Sequence, residues 1–346
     1  MAINNNKISI KDVAKLAGVS ITTVSRVINN SKHPVSSKTR VEVQKAIKEL
    51  NFQPNRLAQG LINNKSSIIG VIVHDISDTY FSEMVKGIEE VTFENDYIIN
   101  IYNTDRDIHK ELQAVNMLKA NQAEAIVFTG GHLIDDFYDR QIREYIKQLK
   151  QQGCYIISVN PYPYNIKDID IGNKLATRTI TEYLFNKGHE NIAYVTGPAI
   201  SHTTWERFSG YKDALKNKGL IFREEFVISG DFTFEGGRKA ALELLDHISD
   251  ITAVVTANDA TALGLMWELK HNGVNIPEDV SVVGIGNIPE TKYAYPPLTT
   301  IALPLFELGK KIGNCLMSKL LNNKVILEDI DVKIGLIERK SVKNLL

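Results

Sequence analysis

The sequence predicts an α/β protein: a small N-terminal helical unit followed by a large body of two doubly wound parallel sheets. Two observations predict the body. Short apolar runs rich in β-branched residues alternate with helical stretches from Ser66 onward, and the alternation runs through twice. A third observation sets the head apart. Residues 1–62 carry ten Lys and Arg against three acids, a net +7, while the rest of the chain carries −8. A basic head on an acidic body points to a polyanion partner for the head alone.

The head contains ISIKDVAKLAGVSITTVSRVINN. Ser9, three residues before Asp12, makes a capping box and starts a first helix. Val13, Leu16 and Ala17 give its apolar face, and Gly18 ends it at a turn needing positive φ. Ser20 caps a second helix, whose buried face is Val24, Val27 and Ile28. A third helix runs from about Ser37 to Leu50, with Val43, Ala46, Ile47 and Leu50 at i, i+3, i+4 and i+7. Two helices joined by a Gly turn and braced by a third form a helix-turn-helix unit. The outward face of the second helix carries Ile21, Thr22, Ser25, Arg26 and Asn29, with hydroxyls, one Arg and no acid. Those groups suit base edges and phosphates in a major groove. Arg26 can reach guanine with both arms and Ile21 a thymine methyl. Ser36, Ser37, Thr39 and the start of the third helix suit phosphate. The competing reading is a plain three-helix bundle with a polar face.

The stretch PNRLAQGLINNKS, residues 54–66, follows. It has linker composition, yet Leu57 and Leu61 sit one helical turn apart and want a surface to bury against. It is too short to form a helix alone in water.

In the body, strands are read in SIIGVIV, YIINIYNT, AEAIVFTG and CYIISVN. A second series follows in NIAYVTG, FVISGD, AVVTAND and VSVVGIG, with helices between. Two such runs imply two lobes and a cleft, with ligands beyond the carboxyl ends of strands. The strand ends supply Asp75, Ser77, Gly131, Asn160, Asn258 and Asn287 as candidates. Arg207, a fork of donors just past the Gly197 strand, joins them, with Trp205 and Phe232 as rings able to stack on a sugar. The plainer reading of Arg207 is a surface residue paired with Glu206 or Glu235. Asp259 reads as a helix cap and His189 as structural.

Several classes are excluded. The composition, 43% hydrophobic and 23% charged over 346 residues, is globular. Cys154 and Cys315 fit no metal or redox spacing and read as small buried side chains. MAINNNKIS lacks an apolar signal core, and no apolar run nears the roughly 20 residues of a membrane span. A soluble, cytoplasmic chain with no membrane partner is expected. No nucleophile–base pair, metal-ligand cluster or phosphate-binding Gly loop appears at the strand ends, so neither catalysis nor a cofactor is expected.

IKDVAKLAGVSITTVSRVINN together with VSSKTRVEVQKAIKELNFQPNRLAQGL resembles the head of the lactose-repressor (LacI/GalR) family of bacterial transcription regulators. TGP, ERFSGYKDAL, GDFTFEGG, TANDATALG, NIPEDVSVVG and YPPLTTIALP resemble its effector domain, so the likeness covers almost the whole chain. It implies a helix-turn-helix DNA-binding domain over 1–53, a hinge helix and linker over 54–65, and a two-lobed periplasmic-binding-protein-like body over 66–342. The N-lobe would take 66–162 and 298–325, the C-lobe 163–297 and 326–342. It places recognition positions on Ile21, Thr22 and Arg26, and further DNA contacts on Ser9, Ile10, Asn29, His33, Ser36, Thr39 and Asn55. In the hinge, Leu57, Ala58 and Leu61 join the DNA-contacting set. Leu61 matches the residue that wedges into a minor-groove step, and Leu57 would pack on the partner's hinge. Ile21 and Thr22 depart from members bearing Tyr-Gln there, so base preference does not carry over.

For the effector, the resemblance implies contacts from Tyr80, Phe81, Asn160, Arg207, Phe232 and Asn258. The segment GIGN puts Gly286 where many members carry Asp, so the cleft is expected to lose a carboxylate there, with Asn287 or a water in its place. The implied partners are a double-stranded inverted-repeat operator, a sugar-like small effector and a second copy of the chain. Few residues follow Ser341, too few for the extra leucine-heptad helix of the family's tetramers, so a homodimer is expected. The alternative is a catabolite-control-type regulator driven by a seryl-phosphorylated carrier protein, since GVIVHDISDTYFSEMVKGIEE, AQGL and IVFTGG resemble that subgroup. The head excludes a solute-binding receptor.

Overall fold

The computed structural model describes residues 8–28, 33–52, 66–164, 166–323 and 332–346. Asn29, Asn55, Leu57, Ala58 and Leu61, and with them the hinge expectations, lie outside those residues. The chain divides into two compact units, Met1–Ser66 and Ser67–Leu346.

The first unit holds α1 (Ile10–Leu16), α2 (Ile21–Ile28) and α3 (Ser37–Glu49). Local chemistry sets their ends. The backbone N–H and hydroxyl of Ser9 both donate to the Asp12 carboxylate, at 2.8 and 2.7 Å, which holds that carboxyl below its usual range. Ser20 Oγ accepts from the Thr23 amide at 3.1 Å, and Gly18 takes φ +64° in the turn between α1 and α2. The core is Val13, Ala14, Val24, Val27, Val43 and Ala46. One expectation fails here: Leu16 is 47% exposed and Ala14 is buried instead. At 100° per residue, Val13, Ala17 and Ala14 span one arc, and Leu16 falls on its margin.

The second unit contains two sheets. The first holds β1 (Ile68–Val73), β2 (Ile98–Asn103), β3 (Ala125–Phe128), β4 (Tyr155–Val159) and β5 (Lys167–Ile169). All are parallel, in the order β2-β1-β3-β4-β5. The central β1 is a buried β-branched run, as a strand covered on both faces requires. At the edge, β2 leaves Ile98 and Ile101 each 46% exposed. The second sheet holds β6 (Ile192–Val195), β7 (Val227–Ile228), β8 (Ala253–Thr256), β9 (Ser281–Gly286), β10 (Thr299–Ala302) and β11 (Gly335–Ile337). Its order is β11-β10-β9-β8-β6-β7, with only β11 antiparallel. The first lobe's helices are α4 (Thr79–Phe93), α5 (Ile108–Ala120) and α6 (Asp136–Gln151). Those of the second are α7 (Asn173–Asn186), α8 (His202–Lys218), α9 (Phe234–Leu244), α10 (Asp259–His271) and the short α11 (Glu290–Tyr293). Finally α12 (Leu305–Asn322) returns to pack against α4 in the first lobe.

The lobe boundaries differ from the expected ones. β5 pairs with β4, so the chain stays in the first lobe to Ile169, not to 162. β10 pairs with β9, so it stays in the second lobe to Ala302, not to 297. Both strands are three or four residues long and carry no apolar run of their own to announce them.

His189 is buried, with Nδ1 3.0 Å from the Thr252 hydroxyl and Nε2 3.0 Å from the Lys343 carbonyl. It ties the C-terminal tail to the second lobe, and burial lowers its pKa. Cys154 and Cys315 are free and buried, and burial pushes the Cys154 thiol up to about 12.

Candidate functional site

In the head, α2 turns Val24 and Val27 inward and leaves Ile21 44% exposed beside an exposed Thr22. Ser25 and Arg26 are half-buried on the same helix. Ser9, Ile10 and Thr39 are also half-buried, and His33 and Ser36 are exposed. Ser36 caps α3: its hydroxyl accepts from the Thr39 amide at 3.1 Å and lies 2.8 Å from the Thr39 hydroxyl. The resulting face offers hydroxyls, an apolar tip and a guanidinium, with no acid on α2.

In the body, a cleft of about 510 Å³, counting the part open to solvent, lies between the carboxyl ends of the two sheets. Residues after β3 meet the start of α8 at its rim: Ile134 N–H donates to the Ile200 carbonyl at 2.7 Å, and His202 N–H to the His132 carbonyl at 3.1 Å.

The second lobe's wall is tied down from within. Arg207, on α8, is 4% exposed. Its Nε donates to Asn173 Oδ1 at 2.9 Å and its Nη1 to the Ala257 carbonyl at the end of β8. Asn173 Nδ2 donates onward to Asn160 Oδ1 at 2.8 Å and to Glu206 at 3.0 Å. Neither Glu206 nor Glu235 pairs with Arg207; Glu235 pairs with Arg238. Phe232 sits below the Arg207 guanidinium, 5.9 Å from its ring centre. It does so at φ +70° and packs where a side chain on Gly197 would stand. Asn258 Oδ1 caps α10 by accepting from the Thr261 amide at 3.0 Å, and its Nδ2 donates to the Phe232 carbonyl at 2.8 Å.

The first lobe's wall is Tyr80 and Phe81 on α4, with His74, Asp78 and Arg106 from the ends of β1 and β2. Asp78 caps α4, accepting from the Tyr80 amide at 2.9 Å, and burial raises its pKa. Burial likewise pushes the Tyr80 phenol up to about 12. His74 Nε2 lies 3.6 Å from the buried Glu111 carboxylate, which also accepts from Tyr138.

A carboxylate from another residue stands beside Gly286. Asp259 is 1% exposed and lines the cleft. A Cβ on Gly286 would stand 3.0 Å from its Oδ2. Asp259 does not cap α10, contrary to expectation, because the neighbouring Asn258 does. Its oxygens instead accept from the Thr300 hydroxyl at 2.6 Å and the Ile288 amide at 3.0 Å. Burial dominates these bonds and raises its pKa to about 6.

The model of periplasmic binding proteins and the sugar-binding domain of the LacI family matches residues 66–340, and that of the lacI family of bacterial regulatory proteins matches 9–55. The chain belongs to the LacI family. It is 30% identical to catabolite control protein A of Priestia megaterium, over 92% of this chain and 94% of that protein. It is 32% identical to the transcriptional repressor PurR of Vibrio atlanticus, over 97% and 99%. Among solved structures it resembles the lac repressor dimer bound to operator and the anti-inducer ONPF (TM-score 0.83, 26% identity, 98% and 100% covered). It also resembles a regulator CelR–cellobiose complex (TM-score 0.69, 27% identity, 96% and 99% covered). This LacI-family chain is therefore a DNA-binding transcriptional regulator with an α/β body of two parallel-sheet lobes.

Of the ten effector candidates read from sequence, the cleft of this LacI-family body brings together Tyr80, Phe81, Arg207, Phe232 and Asn258. The other five are not among its lining residues. Asp75 accepts both the amide and the hydroxyl of Ser77, at 2.9 and 2.6 Å, so these two close a turn on themselves. Asn160 is buried and its Oδ1 accepts from Asn173, Gly131 packs beside it, and Asn287 accepts from Arg339 at 2.6 Å. Trp205 is half exposed and donates to the Ala199 carbonyl at 2.9 Å. Sequence reasoning missed His74, Arg106, Thr203 and the lining role of Asp259. Arg106 had a signal, since it follows β2 and the strand-end rule applies there as elsewhere.

Proposed function

We propose that the chain is a repressor of carbohydrate-utilisation genes that binds an inverted-repeat operator as a homodimer. A sugar-like effector in the interlobe cleft controls its operator affinity. The observation that carries this reading is Arg207, locked over Phe232 by Asn173 and the Ala257 carbonyl at the strand ends. A preset fork of donors over an aromatic face is the chemistry that grips ring hydroxyls while the ring stacks. Asp259 adds an acceptor. The head, 1–53, would read DNA through Ile21, Thr22, Ser25 and Arg26. Ser9, Ile10, His33, Ser36 and Thr39 would position it on phosphates, and 54–65 would link it to the body. Ligand and operator would be coupled by linkage, each shifting the other's affinity by one factor. Nothing in these residues calls for turnover, and the regulator would work in the cytoplasm.

The test is fluorescence anisotropy of the full chain on an inverted-repeat operator from its own upstream region, titrated with mono- and disaccharides. A change in operator affinity with one sugar supports the reading. No change with any sugar, charged or neutral, overturns it and favours a protein co-effector.

A further inference from the structure

We infer that the effector is an anionic sugar, one bearing a phosphate or a carboxylate, and that Arg106 receives the charged group. The inference rests on the sugar-effector reading above and narrows it. Arg106 follows β2 in the first lobe, in the left-handed region at φ +58°. Its guanidinium crosses to the second lobe and lies 5.1 Å from the centre of the Phe232 ring, the ring Arg207 also overlies. Two cations thus lie against one aromatic ring.

Their surroundings differ. Arg207 has two nitrogens occupied by its own lobe. No hydrogen bond joins the Arg106 guanidinium to any described residue, and no described carboxylate oxygen lies within 4.0 Å of it. Its Nε is buried and unpartnered. The carboxylates that act on it electrostatically are Asp78, Asp75 and Asp231, the last of which accepts from the Thr233 amide and hydroxyl. Asp78 accepts from the Tyr80 amide and Asp75 from Ser77. Burial and the neighbouring Arg207 both lower the Arg106 pKa, so the free cleft holds this cation at a cost.

A half-buried guanidinium with an unpartnered Nε gains from a partner for its charge as well as for its donors. Sugar hydroxyls supply acceptors without neutralising charge. A phosphate or carboxylate supplies both, through charge-assisted and bidentate bonds. An anion at this point also screens the two arginines from each other.

The experiment is isothermal titration of the full chain with matched sets: glucose, galactose, trehalose and cellobiose, then their 6-phosphates and the corresponding uronic acids. The inference expects one phosphate or one uronate to bind at least tenfold tighter than its uncharged parent. Which arm wins identifies the group. Arg106→Gln should erase that advantage and Arg106→Lys keep part of it. The ligand-free Arg106→Gln protein should melt no lower than wild type, because it loses an unpaired charge. Three results overturn the inference. An uncharged sugar that binds as tightly as its anionic forms removes the anion while leaving a sugar effector intact. A lowered ligand-free melting temperature in Arg106→Gln would make Arg106 a structural latch across the lobes. Binding of no sugar in any form would remove the sugar-effector reading itself.

Discussion

The recognition helix and the interlobe cleft are proposed to meet ligands, yet their side chains are held in opposite ways. On α2, Ile21 and Thr22 are exposed and only the two core valines are buried, whereas Phe81, Arg207, Phe232 and Asp259 of the cleft all are. In the cleft, Asn258 and Asp259 are hydrogen-bonded before any ligand arrives, and Arg207 is fixed through Nε and Nη1. A surface that must slide along many sequences benefits from solvated, adaptable groups, and its affinity comes from phosphate neutralisation. A cleft that must reject similar small molecules benefits from fixed donors. The two sites should therefore fail in different ways.

Salt should separate them most. Six to ten phosphate contacts predict that operator affinity falls about 10³- to 10⁵-fold between 50 and 200 mM salt. Affinity for an uncharged sugar, measured by titration calorimetry over the same range, should barely move. Next in size is Arg207→Ala, which strips the fork from over Phe232 and leaves Asn173 short of a donor. Effector affinity should drop by about 100-fold or more, on the order of 3 kcal/mol, while effector-free operator affinity stays at the wild-type value. Arg26→Ala should show the converse: operator binding weakened by about 1–3 kcal/mol with relaxed base preference, and effector titrations unchanged.

A pH experiment probes the cleft alone. The Asp259 carboxyl has its folded pKa raised to about 6 from 3.8. Its contribution to stability is thus fully present below pH 3.8 and is lost as pH rises through about 6. The loss is on the order of 3 kcal/mol. Asp259→Asn should flatten that part of the stability–pH curve of the body, read by thermal unfolding at intervals from pH 4 to 7. An unchanged slope would show that the buried carboxyl is not the titrating group. The smallest effect belongs to the head: Ser36→Ala removes the cap on α3 and should cost about 0.5–2 kcal/mol in head unfolding.

Much of this was legible in the sequence, for physical reasons. Buried parallel strands leave continuous β-branched runs such as SIIGVIV and NIAYVTG, and helix starts leave Ser9 and Ser20. What stayed hidden depends on placement. β5 is the polar KDI, β10 opens on two threonines and β11 is only three residues, so none leaves a continuous apolar run. Arg106 stands in Thr104-Asp105-Arg106-Asp107, which reads as a solvated turn. Only the fold reveals that it reaches Phe232 across the cleft. Asn258 and Asp259 are adjacent acceptors at one helix start, and composition does not say which one caps and which turns into the cleft. Leu16 shows the same limit in the head, where a one-step rotation of α1 exchanges it for Ala14.

The central claim is that one chain reads DNA with its head and a sugar with its cleft, and that the two events are linked. The most direct measurement is operator anisotropy of wild type and Arg207→Ala, with and without the sugar that shifts the wild type. The account predicts equal operator affinity without sugar and a response only in the wild type. A response of equal size in Arg207→Ala would contradict it, because control would then come from outside this cleft.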